Sequence, residues 1–168
     1  RKILYDLGLS DTLPTILVFG GSQGAKKIND AMLGIIQENK NKDYQIIWAA
    51  GQKQYEVIKE KLEESGLNIN NIKNTKIVPY IYNMSEIMNT VDVIVSRSGA
   101  MTITEIALVG KPAIFIPLPS NSANRQIDNA NILVKVGAAT IILNDEVNSE
   151  NLNQRIEEMI ENPKELVE

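Results

Sequence analysis

Six short apolar runs constrain the fold of this chain more than any other feature. They are Thr15–Phe19, Gln45–Ala49, Lys76–Pro79, Asp92–Ser96, Ala113–Pro117 and Ala139–Leu143, rich in Ile and Val and apolar for most of their length. A strand with one wet face alternates apolar and polar residues, whereas a strand buried on both faces of a parallel sheet reads as a near-continuous apolar run. Helical patterns separate the runs. In "KKINDAMLGIIQEN", Ile28, Met32, Ile35 and Ile36 form one stripe. "YEVIKEKLEES" stops at Gly66, "MTITEIALVG" at Gly110 and "NRQIDNANILVKVG" at Gly137, while "SEIMNTV" is short. "SENLNQRIEEMIENP" has Ser149 as its predicted N-cap and ends before Pro163. Strand and helix in strict alternation predict an α/β fold: a doubly wound, mostly parallel Rossmann-like sheet of about six strands, with helices on both faces.

Composition narrows the chemistry. The 168 residues contain no cysteine and no histidine and carry a net charge of −4. Disulfides, thiolate metal sites and cysteine nucleophiles are excluded, and the commonest general base and metal ligand are missing. The negative charge argues against nucleic acid as a partner. No apolar run reaches the ~18 residues of a membrane span. The Asn-rich "LNINNIKN" is expected to be a surface connection, and a chain that opens on Arg1 is expected to be a piece of something longer.

In such sheets ligands bind beyond the carboxyl ends of the strands, so three loops stand out. "GGSQGAKKIND" joins the first strand to a helix expected from about Ala25. Gly20, Gly21 and Gly24 permit a tight turn, Ser22 and Gln23 supply donors, and the helix start offers N–H groups to an anion. A plain strand–helix turn is the alternative. The loop has neither the G-x-G-x-x-G spacing of a dinucleotide fold nor a Walker lysine. "VSRSGAMTITEIALVGKP" repeats the arrangement, with Ser98 and Gly99 in the turn and Glu105 in the helix. Glu105 serves either as a helix-start charge or as an acceptor for two sugar hydroxyls. Arg97 is read as structural, paired with an acid at the sheet edge, with a phosphate as the other option. "PLPSNSANRQIDNANIL" places Gln126 and Asn129 on one helical face, where amides suit either solvent or sugar hydroxyls. Together the loops offer what a nucleotide-sugar needs: N–H groups for a diphosphate, a carboxylate for ribose and amides for the sugar.

"GGSQGAKKIN", "RSGAMTITEIALVGKPAIFIPLP" and "NRQIDNA" closely resemble the MurG family, UDP-N-acetylglucosamine transferases of peptidoglycan synthesis. The resemblance runs from Arg1 to about Pro163 and covers only the C-terminal half of the family. It implies the donor-binding domain of a GT-B glycosyltransferase: residues 1–14 as the interdomain junction and 15–168 as the UDP-sugar domain. It assigns Arg1 to the diphosphate, Ser22 to the donor, Ile81 to the uracil, and Ala100, Met101, Thr102, Ile103, Thr104 and Glu105 to the nucleotide, with Glu105 on the ribose hydroxyls. Gln126 falls on the sugar, and Arg125 departs from the family's usual His or Gln there.

The implied partners are UDP-GlcNAc and an absent N-terminal acceptor-binding domain, with lipid I reached through it at the cytoplasmic side of the bacterial membrane. The implied reaction is an inverting transfer of GlcNAc onto lipid-linked MurNAc-pentapeptide in cell wall biogenesis, with no cofactor, no metal and no catalytic residue in this fragment. The fragment alone is expected to be inactive. Two alternatives share the architecture: a UDP-GlcNAc 2-epimerase half-domain, and a non-catalytic nucleotide-sugar-binding subunit completed by a separate acceptor-binding chain.

Overall fold

The computed structural model describes residues 2–21, 25–119 and 125–161. Strands β1 (Thr15–Phe19), β2 (Gln45–Ala49), β3 (Thr75–Val78), β4 (Val93–Ser96), β5 (Ala113–Phe115) and β6 (Ala139–Ile141) form one sheet in the order β3-β2-β1-β4-β5-β6. Every pairing is parallel. The helices are α1 (Lys2–Asp6), α2 (Lys26–Gln37), α3 (Tyr55–Glu64), α4 (Met84–Thr90), α5 (Ala100–Val109), α6 (Arg125–Lys135) and α7 (Ser149–Glu161). The expected architecture is present, with strand ends moved by one or two residues.

The pleat sorts the side chains into two cores. Ile16, Val18, Ile46, Trp48, Val93, Val95 and Ile114 face α2, α3 and α7, whereas Leu17, Ile47, Ala49, Ile94, Ala113 and Phe115 face α1, α4, α5 and α6. Both faces are covered, which is why the runs lack alternation. A buried amide sits within the first core. Asn29 is 4% exposed, accepts from Trp48 Nε1 at 3.0 Å and donates to the Ala50 carbonyl at 3.0 Å. It fixes the loop after β2 by satisfying a buried carbonyl.

One expectation is corrected. The N-cap of α7 is Asn148, not Ser149. Asn148 and Asn151 each accept the other's backbone N–H at 2.9 Å, a reciprocal cap. The Ser149 hydroxyl donates instead to Glu38 at 3.0 Å, joining α7 to the end of α2. A Cβ at Gly34 would stand 2.7 Å from the Ser149 Cβ, so the mid-helix glycine permits this close approach. Residues 2–6, for which no element was expected, form a short helix whose Leu4 is fully buried in the second core.

Candidate functional site

After β3 the chain returns to the far side of β1 to form β4, so the strand order reverses between β1 and β4. Loops leaving neighbouring strands in opposite directions open a crevice there. Two cavities occupy it. The larger, about 530 Å³, is lined by Gly20 and Gly21 after β1, Ala25 and Lys26 at the start of α2, Arg97 and Gly99 after β4, and Leu118 and Gln126. The smaller, about 260 Å³, is an apolar slot of Ala49, Pro79, Ile81, Met84 and Met88 with Tyr80 and Glu105 on its wall. Phe19, Gly21 and Thr102 line both, so the cavities are neighbours across a common wall.

The turn after β1 needs its glycines for two different reasons. A Cβ on Gly20 would lie 2.5 Å from the Ala25 Cβ and 2.8 Å from its backbone nitrogen. Gly21 has φ +95°, in the left-handed region. Gly99 differs. Its φ of −63° and ψ of 156° are open to any residue, and a Cβ there would meet only Gln126 Nε2 at 3.9 Å. Its lack of a side chain leaves the cavity open rather than shaping the backbone. Neither Ala25 nor Gly99 caps its helix through a side chain, so the first-turn N–H groups of α2 and α5 have no side-chain acceptor at the N-cap. α2 begins at Lys26 and α5 at Ala100, within one residue of expectation.

On α5 the sequence-predicted residues divide by face. Thr102 and Glu105, one turn apart, reach the cavities. Ile103 is 7% exposed and belongs to the core. Ala100, Met101 and Thr104 are exposed, and the Thr104 hydroxyl donates to the Ala100 carbonyl at 3.1 Å. Ile81 is buried at the slot.

Gln126 lines the larger cavity, but its side-chain oxygen is occupied. It accepts from the backbone N–H of Ser98 at 3.2 Å and of Leu118 at 2.8 Å. Its amide NH2 donates to none of the described residues. Ser98, fully buried, donates its hydroxyl to the Gln126 carbonyl at 2.7 Å, and Asn129 donates to the Ser98 carbonyl at 3.0 Å. Ser98, Gln126 and Asn129 thus form a clasp between the loops after β4 and β5. Arg97 donates from Nη1 to the carbonyls of Ile116 (3.1 Å) and Pro117 (3.4 Å) and to Asn144 Oδ1 (2.6 Å). It holds the sheet edge as expected, but through neutral oxygens and not an acid. Burial lowers its pKa from the ordinary arginine value.

Arg1, Ser22, Gln23 and Gly24 lie outside the described residues. Sequence reasoning placed Tyr80 and Met84 in a loop at the ligand edge without giving them a role, and passed over Phe19, Ala49, Pro79 and Met88 as lining residues. The signal for Phe19 and Ala49 was their position as the last residues of their strands.

Residues 15–168 match the model of the family described as "Glycosyltransferase family 28 C-terminal domain". The chain belongs to that family. It is 43% identical over 157 residues to the UDP-N-acetylglucosamine--N-acetylmuramyl-(pentapeptide) pyrophosphoryl-undecaprenol N-acetylglucosamine transferase of Limosilactobacillus reuteri, covering 94% of this chain and 41% of that protein. The same enzyme of Desulforamulus reducens is 42% identical over 153 residues, covering 90% and 41%. Among solved structures, MurG of Acinetobacter baumannii superposes with a TM-score of 0.75 at 31% identity, covering 93% of this chain and 44% of that one. The chain therefore spans about 41% of the length of these curated relatives.

Proposed function

We propose that this chain is the donor-binding domain of a transferase that moves GlcNAc from UDP-GlcNAc to lipid-linked MurNAc-pentapeptide. One observation carries the reading. A cavity at two helix starts, bordered by Lys26, Arg97 and Gln126, and an apolar slot with Glu105 on its wall lie side by side at the switch point of the sheet. A nucleotide-sugar has the matching parts. The uracil enters the slot at Ile81, and the ribose hydroxyls meet Glu105. The diphosphate lies over the turn of Gly20, Gly21, Ser22, Gln23 and Gly24 and the start of α5 at Ser98–Met101. The sugar reaches the Gln126 amide, with Asn129 supporting the loop behind it. Arg1 and residues 1–14 face the junction with an acceptor-binding domain, and residues 15–168 hold the donor. The relatives' names and the family support this assignment.

The chemistry suits such a site. As the MurNAc C4 hydroxyl attacks C1 of GlcNAc, the C1–O bond to the diphosphate breaks and negative charge develops on UDP. Pre-aimed backbone N–H groups stabilise that charge without reorganising. The acceptor, its lipid and the membrane surface are reached through the remainder of the protein. Among the described residues no helix is long and apolar enough to cross a membrane.

Calorimetric titration with UDP-GlcNAc, UDP-glucose, ADP and NAD tests the reading. Binding restricted to the uridine ligands, with UDP-GlcNAc tightest, is expected. Equal binding of ADP, or none of the uridine ligands, overturns it. Formation of lipid-linked disaccharide by the purified 168 residues would refute the expectation that this stretch alone is inactive.

A further inference from the structure

The Asn-rich connection of residues 67–74 ends at a cavity that is separate from the donor crevice. Asn39, Asn41 and Lys42, between α2 and β2, and Lys73 and Asn74, just before β3, enclose about 320 Å³ at the amino side of the sheet. Small-ligand pockets run from roughly 300 to 1,000 Å³. Every lining residue is an asparagine or a lysine, and none is acidic or apolar. In a chain of net charge −4 this is a local reversal of sign. Neither Lys42 nor Lys73 forms an ion pair among the described residues, whereas the neighbouring Lys40 meets Glu38 at 3.8 Å.

The chain's own bonds set the walls. Asn39 (φ 54°) and Asn74 (φ 59°), one on each wall, are the two non-glycine residues of positive φ among the described residues. Asparagine tolerates that conformation better than most residues. Asn41, 5% exposed, donates to the Thr75 hydroxyl at 3.2 Å, and that hydroxyl donates to the Lys73 carbonyl at 3.1 Å. One wall is thereby tied to the other. Nearby acceptors are spent. The Asn74 carbonyl accepts from Ile46 N–H at 2.8 Å, and the carbonyls of Gly34, Ile35 and Ile36 accept from Glu38, Lys40 and Asn39. Donors are not spent. The backbone N–H groups of Asn41, Lys42, Lys73 and Asn74, and the side chains of Asn39 and Asn74, make no hydrogen bond among the described residues.

We infer that this cavity is a phosphate site, where a dianionic phosphate group, free or on a lipid headgroup, meets Lys42 and Lys73. Two ammonium groups match its charge, and each has three donors that can turn toward its oxygens. The amide and backbone donors add neutral hydrogen bonds to the same anion. The site lies at the opposite ends of the strands from the donor crevice and does not depend on the donor reading.

Phosphate also resembles part of a nucleotide, so the readout has to be local. Inorganic phosphate is titrated into the 15N-labelled chain in the presence of UDP, at constant ionic strength against chloride. Saturable shifts are expected in the amide resonances of residues 39–42 and 73–74. The double variant Lys42→Gln/Lys73→Gln, at two exposed side chains, should lose about tenfold in phosphate affinity at those amides. Its affinity for UDP should stay within about twofold of wild type. Lys135→Gln removes a charge from the exposed end of α6 and should leave phosphate affinity within about twofold. Absent shifts, equal shifts with chloride, or an equal loss in Lys135→Gln overturn the inference and leave the donor reading standing. Failure of UDP to bind sinks the donor reading and leaves these local shifts to decide the phosphate site. Sedimentation with phosphatidylcholine vesicles, with and without phosphatidic acid, separates the two sources. Binding that requires both phosphatidic acid and the two lysines assigns the site to a headgroup. Saturable phosphate shifts without such binding assign it to a free phosphate compound.

Discussion

At the amino ends of the strands, side chains take up the polar groups that the sheet leaves over. Thr15 N–H donates to Asp92 at 2.8 Å, and Gln45 Nε2 donates to the Thr15 hydroxyl at 2.9 Å and to the Ser10 carbonyl. Gln45 Oε1 accepts from Ser10 N–H at 3.0 Å, and Asn41 donates to the Thr75 hydroxyl at 3.2 Å. Thr15 and Gln45 are almost wholly buried. At the carboxyl ends, two helices begin without a side-chain cap, Arg97 has no ion pair among the described residues, and two cavities are open. Around β1 the same backbone pattern is closed by its own side chains at one edge and left open at the other. Stability should therefore depend on the first edge and binding on the second.

The largest expected effect sits at the closed edge. Gln45→Ala removes three hydrogen bonds and leaves buried partners unmatched, which should lower unfolding free energy by about 3 kcal/mol. Urea denaturation measures it, and UDP affinity under native conditions should stay within twofold. A parallel loss of affinity would mean that the two edges are mechanically coupled. Next is Gly20→Ala at the open edge. The added Cβ meets the Ala25 backbone, so the start of α2 must move. Roughly 2 kcal/mol of UDP binding, close to 30-fold, should be lost by calorimetry, with a smaller change in stability. If stability falls more than binding does, the glycine serves the fold and not the ligand.

Most of the fold was legible because burial on both faces of the sheet writes itself into each strand locally. α1 was not, since five residues with one buried side chain give no period to read. Asn148 was passed over for Ser149 because both are good caps, and only the reciprocal bond with Asn151 decides between them. At the site, loop positions were legible from the strand ends. What Gln126 does was not, because its oxygen is claimed by Ser98 and Leu118, neighbours that only the folded chain brings together. That placement changes what the variant should do. Gln126→Ala ought to weaken UDP and UDP-GlcNAc by comparable factors, on the order of tenfold, since it frees two backbone N–H groups as well as removing a donor. A loss confined to UDP-GlcNAc would show that the clasp holds without it.

Glu105→Gln keeps the shape of the slot and removes the charge. Glu105 is exposed and makes no ion pair among the described residues, so folding should be unaffected. Affinity for UDP should drop by about 1.5 kcal/mol, roughly tenfold, if the carboxylate accepts from ribose hydroxyls. The drop should shrink when 2′-deoxy-UDP is the ligand, because one of those hydroxyls is gone. Equal affinities for both proteins would leave Glu105 with no part in binding, and not as the helix-start charge the sequence also offered, because it stands beyond the first turn of α5.

The smallest effect tests the division between the two faces of α5. Thr102 lines both cavities, whereas Thr104 is exposed and its hydroxyl is spent on the Ala100 carbonyl. Valine has the same branched shape as threonine, so each exchange removes a hydroxyl and little else. Thr102→Val should weaken UDP by about 1 kcal/mol, near fivefold, the usual net worth of one neutral hydrogen bond. Thr104→Val should leave UDP unchanged and alter stability by less than about 0.5 kcal/mol, as surface exchanges generally do. The two variants share a helix, a residue type and a substitution, so a difference between them reports only the face. If both weaken UDP alike, α5 responds as a unit, and its backbone rather than its cavity-facing side chains is what the nucleotide meets. If neither does, the wall shared by the two cavities makes no polar contact with the ligand, and the contrast between the edges then rests on the glycine turn.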